Sequence, residues 1–172
     1  MAILEILTAP DPRLEEVCKP VEAVDASIRQ LMDDMLETMY DAPGIGLAAI
    51  QVGVHKRVIV VDVAKDGEEP NPIRMANPEI IDEDEELSVY QEGCLSVPDI
   101  FEDVTRPKRC VVRYLDEHNQ PNELAMDGLL ATCVQHEIDH LNGILFIDHL
   151  SRLKKTMAIK KLVKRRKLKA AS

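Results

Sequence analysis

Aromatic side chains are scarce in this chain: Phe, Tyr and Trp together make up 3% of its 172 residues, and Trp is absent. Any core must therefore be built from aliphatic and methionine side chains. No apolar run approaches the ~20 residues needed to span a bilayer, so no membrane-spanning helix and no membrane partner are expected. The opening MAILEILTAPDPRLEE lacks a basic start, a long apolar stretch and a small-residue cleavage site, so it does not read as a signal peptide. Its early acids make it a poor transit peptide as well. The four cysteines (Cys18, Cys94, Cys110 and Cys133) show no close pairing, and a chain of this size needs no disulfide framework. A reducing, cytoplasmic location is the expectation.

What is present is the balance of an ordinary globular protein, 45% hydrophobic and 30% charged. Length alone predicts one domain over residues 1–172, burying about two-thirds of the unfolded surface. The formal charge of −10 hides two regions. Residues 151–172 hold ten basic side chains and no acid, while the first 150 hold 11 basic and 31 acidic side chains, a net of −20. An acidic body repels nucleic acid, whereas a basic end attracts polyanions. The tail reads either as a solvated helix or as a docking element for RNA or a ribonucleoprotein, and sequence-specific nucleic-acid binding is not expected.

From Ser27 to Tyr40, Ile28, Leu31, Met32, Met35, Leu36 and Met39 fall on one helical face, with Asp25 or Ser27 as N-cap. This methionine stripe reads as core packing. RVIVVDV (57–63) is a β-branched run expected to form a buried strand. Strands are also expected at 73–81 and 87–91 around the acidic turn DEDEE, with a hairpin of 109–116 and 122–126. A helix over Leu129–Leu141 is closed by Asn142 and Gly143. The last helix starts near Ser151, with Leu153, Met157, Ile159, Leu162 and Val163 on its apolar side. Helix, strands, helix, helix in that order indicate an α+β fold.

Within QHEIDHLNG, His136 and His140 stand four apart and project from one face of the helix, a spacing suited to two ligands of one metal. Glu137 sits at their edge, able to act as a base toward bound water. The plainer reading is two histidines at helical spacing, but the helix looks buried, and two neighbouring imidazoles there need partners. A third ligand is required. The metzincin position for it is Phe146, which cannot bind metal; His149, Asp148 and Cys94 are the alternatives. Cys94, next to Gly93 in EGCLSVP, reads either as a small buried hydrophobe or as the thiolate completing a Cys-His-His set.

Three motifs, GIGLAAIQ (44–51), EGCLS (92–96) and HEIDH (136–140), occur in this order, and with them the chain closely resembles the peptide deformylase family. The similarity covers nearly the whole chain, and the basic C-terminal helix resembles the bacterial Gram-negative-type branch. The resemblance implies small antiparallel or mixed sheets around a central HEIDH helix, with an N-terminal helix and a basic C-terminal helix. It implies hydrolysis of the N-formyl group from the initiator methionine of new polypeptides, releasing formate. Cys94, His136 and His140 would hold one Fe2+ per chain, replaceable by Ni2+, Co2+ or Zn2+. Glu137 would be the general acid/base, and Gln51 with the Leu95 N–H the oxyanion donors.

The physical logic is that a divalent metal lowers the pKa of its bound water from ~15.7 to ~7, giving a hydroxide that attacks the formyl carbon. Each donor to the developing oxyanion is worth about 3 kcal/mol. Gly44 and Gly46, read as loop positions, either serve a turn or, like Gly93, let a peptide backbone come close. Ile45, Leu129, Thr132 and Cys133 would line the methionine pocket by the same resemblance. Glu92 and Asp139 are candidates to orient the ligating imidazoles, or else solvated charges; Arg106 is a candidate support for a site carboxylate. The expected partners are N-formylmethionyl nascent peptides and, through the basic helix, the ribosome near the peptide exit.

Overall fold

The structure, a computed structural model, describes residues 2–171. Its elements run α1 (Ala26–Asp41), β1 (Gly46–Ala48), β2 (Val58–Val61), β3 (Ile73–Glu83), β4 (Leu87–Cys94) and β5 (Val97–Pro107), then β6 (Arg109–Leu115), β7 (Pro121–Asp127), α2 (Gly128–Leu141) and α3 (Arg152–Ala171). Short 3-10 turns lie at Pro12–Glu15, Ala49–Val52 and Phe146–His149. The fold is α+β as expected. One sheet has the order β1-β2-β3-β6-β7, and β4 and β5 form a separate pair. Every strand pairing is antiparallel.

Asp25 caps α1: its carboxylate accepts the Ile28 N–H at 3.0 Å and also the Ser27 hydroxyl at 2.7 Å, so Ser27 supports the cap without being it. The methionine stripe is core, with Met32, Met35 and Met39 fully buried. The RVIVVDV run is apolar at successive positions because both faces of β2 are covered. Val58 and Val60 pack with α1, while Ile59 and Val61 pack with Val134, Ile138 and Leu141 of α2. The helix carrying HEIDH is thus pinned against the sheet by its own apolar residues. It stops at Asn142, followed by Gly143 at φ 75°, where an added Cβ would run into the backbone of Glu15.

Strands flank the DEDEE turn as expected, and each pairs elsewhere, β3 with β6 and β4 with β5. Two expectations need correction. Residues 98–107, in which no strand was expected, belong to β5. Its alternation is obscured because Asp99 takes φ 65° between the buried Val97 and Ile100, shifting their phase, and because the buried residue near its end is Arg106. Finally, α3 buries Ala158 and Leu162, one turn apart, whereas Leu153 and Met157 are exposed. That helix is anchored by a stripe too narrow to announce itself in so basic a segment.

Candidate active site

Two helix positions and one hairpin turn converge beneath a cleft. His136 and His140 lie one turn apart on α2 and Cys94 ends β4, where the β4–β5 turn swings its sulfur toward the helix. The Sγ of Cys94 is 3.3 Å from Nε2 of His140, which is 3.2 Å from Nε2 of His136. The three potential ligand atoms lie within 4.8 Å of one another. A tetrahedral ion with metal–nitrogen bonds of ~2.1 Å spaces its nitrogens by about 3.4 Å, so this thiolate–imidazole set fits a single divalent ion. His149 is outside the set: it is partly exposed and pairs with Asp139 at 2.8 Å. Phe146 is buried and stacks on the His136 ring with centroids 5.9 Å apart.

The imidazoles are held by a buried charge network. Glu92 accepts from His136 Nδ1 at 2.8 Å, which fixes the ring and leaves Nε2 facing the sulfur. Arg106 forks onto the same carboxylate at 2.7 and 2.9 Å and reaches Asp139 at 2.8 Å. Burial pushes the Glu92 carboxyl up, but hydrogen bonds from His136 and Arg106 outweigh it and bring the pKa to about 2. Of the two candidate carboxylates, Glu92 therefore serves an imidazole, while Asp139 serves Arg106 and His149. His140 is fully buried, with no partner for its Nδ1 among the described residues; burial, with the charges of His136 and Arg106, pulls its pKa down and favours the neutral ring that a metal takes.

Glu137 is buried beside the set, its Oε1 4.0 Å from His140 Nε2 and without a hydrogen-bond partner among the described residues. Burial raises its pKa to about 7, although His136 and Arg106 pull the other way. A carboxylate sealed in this manner is suited to taking and returning a proton near neutrality. Gly46 begins β1 rather than lying in a loop. A Cβ there would sit 2.5 Å from Glu137 Oε2 and 2.8 Å from Cys133 Sγ, so only glycine lets strand and helix approach this closely.

Gln51 is sealed in the 3-10 turn after β1. Its Oε1 accepts the Ala48 N–H at 2.9 Å, turning Nε2 toward Ser96 Oγ at 3.0 Å and Cys94 Sγ at 3.5 Å. No backbone carbonyl among the described residues takes the Leu95 N–H. Above the set opens a cavity of about 420 Å³ whose walls include Gly44, Ile45, Gly46, Gly93, Leu95, Leu129, Thr132, Cys133 and Glu137. The residues expected to receive the peptide and its methionine side chain thus line one space, whereas Gln51 is not part of its lining. Sequence reasoning missed Ser96, Tyr90 and Phe101. Ser96 stood inside a quoted motif, whereas only the β4–β5 pairing brings Tyr90 and Phe101 to the cavity.

A cysteine sulfur, two buried imidazoles and a sealed carboxyl at the floor of a cleft form a candidate mononuclear metal centre of a hydrolytic kind. The family model described as Polypeptide deformylase matches residues 3–156. The peptide deformylase of Hyphomonas neptunium is 63% identical over 172 residues, covering 99% of this chain and 97% of that protein. The crystal structure of peptide deformylase from Ehrlichia chaffeensis superposes with a TM-score of 0.93 at 44% identity, covering 98% of this chain and 99% of that one. The same enzyme in complex with actinonin gives 0.91 at 47%, covering 96% and 98%. The chain belongs to the polypeptide deformylase family, metal-dependent hydrolases that remove the formyl group from newly made polypeptides.

Proposed function

We propose that this chain hydrolyses the N-formyl group of the initiator methionine on nascent polypeptides, with Cys94, His136 and His140 as metal ligands and Fe2+ as the ion in the cell. Ni2+, Co2+ or Zn2+ suit the same mixed sulfur–nitrogen set. The observation that carries the reading is the sealed Glu137 beside a triangle of ligand atoms 3.2–3.3 Å apart along its two closest edges. The metal, when bound, activates water and polarises the formyl oxygen. Glu137 takes the proton of the attacking water and returns it to the departing amine nitrogen. The Gln51 Nε2–H and the Leu95 N–H donate to the oxygen as its charge develops, each worth about 3 kcal/mol. Glu92 and Arg106 hold His136 in register.

The substrate lies along the cavity wall. Gly44, Ile45, Gly46 and Gly93 offer backbone approach for an extended peptide, and Leu129, Thr132 and Cys133 receive the methionine side chain. Residues 1–172 act as one domain: α3 runs past the end of the family match at residue 156, and its Leu162 is buried with Val97 and Val104 of β5. No helix among the described residues is long and apolar enough to cross a membrane. We place the enzyme in the cytoplasm, near the peptide exit of the ribosome, to which the basic face of α3 binds by charge. The deciding experiment is formate release from formyl-Met peptides by oxygen-free, iron-loaded protein. Absence of formate, or cleavage of internal peptide bonds instead, refutes the reading.

A further inference from the structure

The wall of the cavity carries two hydroxyls that make no hydrogen bond with any described residue. Thr132 is 4% exposed and faces the cavity from the second turn of α2. Threonines within helices hand their hydroxyl to the carbonyl four residues back, and the other two helical threonines here do so: Thr38 to Asp34 at 2.7 Å and Thr156 to Arg152 at 2.8 Å. Thr132 makes no such bond with any described residue, and its Oγ1 is not sealed away from the cavity. Tyr90, on β4, lines the same space and likewise donates its phenol to no described residue. A Cβ on Gly128 would lie 3.7 Å from the Tyr90 Oη, and Gly128 is one turn below Thr132 on the same helix face. The thiol of Cys133 is occupied by the Ile45 carbonyl at 3.6 Å, so the two hydroxyls are polar points in the same lining as the apolar Ile45 and Leu129.

We propose that Thr132 and Tyr90 make the pocket accept formylated peptides whose terminal methionine has been oxidised to the sulfoxide. The inference rests on the reading that this cavity takes the methionine side chain. Oxidation turns a weakly accepting thioether into a strong, dipolar acceptor on an otherwise similar chain. An aliphatic wall excludes that oxygen because it would be buried without a donor. Hydroxyls free of internal partners supply the donors with no bond to break first.

The test compares kcat/KM for formate release from formyl-Met(O)-Ala-Ser and formyl-norleucine-Ala-Ser by the iron-loaded enzyme. T132V and Y90F each lower the sulfoxide-to-norleucine ratio about tenfold, equivalent to ~1.4 kcal/mol, while T132S retains it. Calorimetric binding of the deformylated Met(O) and norleucine tripeptides follows the same order, independent of turnover. A ratio within twofold of the parent in both T132V and Y90F overturns the proposal. T132F, which fills the cavity, separates this failure from that of the underlying reading. If its preference for norleucine over alanine at the first residue is unchanged, the cavity is not the side-chain pocket. If that preference collapses while T132V leaves the sulfoxide ratio unmoved, the hydroxyl proposal alone is wrong.

Discussion

Replacing Arg106 with Met removes the only side-chain cation hydrogen-bonded to Glu92 other than the His136 ring, among the described residues. Three charge-assisted bonds of 2.7 to 2.9 Å vanish, from a guanidinium whose side chain is 6% exposed onto carboxylates at 6% and 20%. Deleting one partner of such a buried pair costs ~3–5 kcal/mol, because the charge left behind is uncompensated. With a urea dependence of about 2 kcal/mol per molar, the unfolding midpoint of the metal-free protein falls by roughly 1.5 to 2.5 M. Glu92 then relaxes from His136, and metal affinity in a chelator competition drops ~10- to 100-fold. Arg106→Lys keeps a charge without the fork and falls between. In Glu92→Gln the effect of R106M shrinks, since the two changes break one network. A midpoint within ~0.3 M of the parent, or full additivity in the double variant, would refute this account of the network.

Glu137→Ala retains its metal, since the carboxylate is not among the three ligand atoms, but loses turnover by about 100- to 10,000-fold; metal analysis beside a formate assay checks both halves. Burial pushes the thiols of Cys18 and Cys110 up to about 11 and that of Cys133 well above its ordinary value, so an aromatic disulfide reagent at pH 8 labels only the half-buried Cys94 in native metal-free protein. Four fast thiols would contradict that. Partial desolvation and the 2.6 Å hydrogen bond to Asp62 raise the Tyr40 phenol to about 12. Because the folded value lies above the unfolded one near 10, this contact contributes fully below pH ~10 and is lost as pH rises through 12; in Tyr40→Phe that part of the alkaline decline in stability is absent from urea midpoints. Deleting residues 164–172 removes basic side chains but spares the buried Ala158 and Leu162, so ribosome co-sedimentation weakens in a salt-sensitive way while short-peptide turnover persists. Unchanged sedimentation would end the docking idea.

Local chemistry was legible in the chain itself. The i, i+4 spacing of His136 and His140 dictates that they share a helix face whatever surrounds them, and the methionine stripe of α1 and the β-branched run of β2 announce their burial by periodicity alone. The family motifs carried the third ligand and the cavity residues. Four matters waited for the tertiary structure. Cys94 meets the histidines only because β4 turns back onto β5, a pairing hidden by the positive φ at Asp99 and the buried charge of Arg106. Asp139, a candidate partner of the ligating imidazoles or else a solvated charge, holds Arg106 and His149 instead, because the hairpin brings that guanidinium across to α2. Gly46 proved to be a point of contact between strand and helix, and Thr132 kept a hydroxyl that a helix normally absorbs. Periodicity and capping act within a few residues and can be read in order along the chain. Which side chain compensates a buried charge, or stays open to a cavity, is set by contacts between segments dozens of residues apart, and those exist only once the chain has packed.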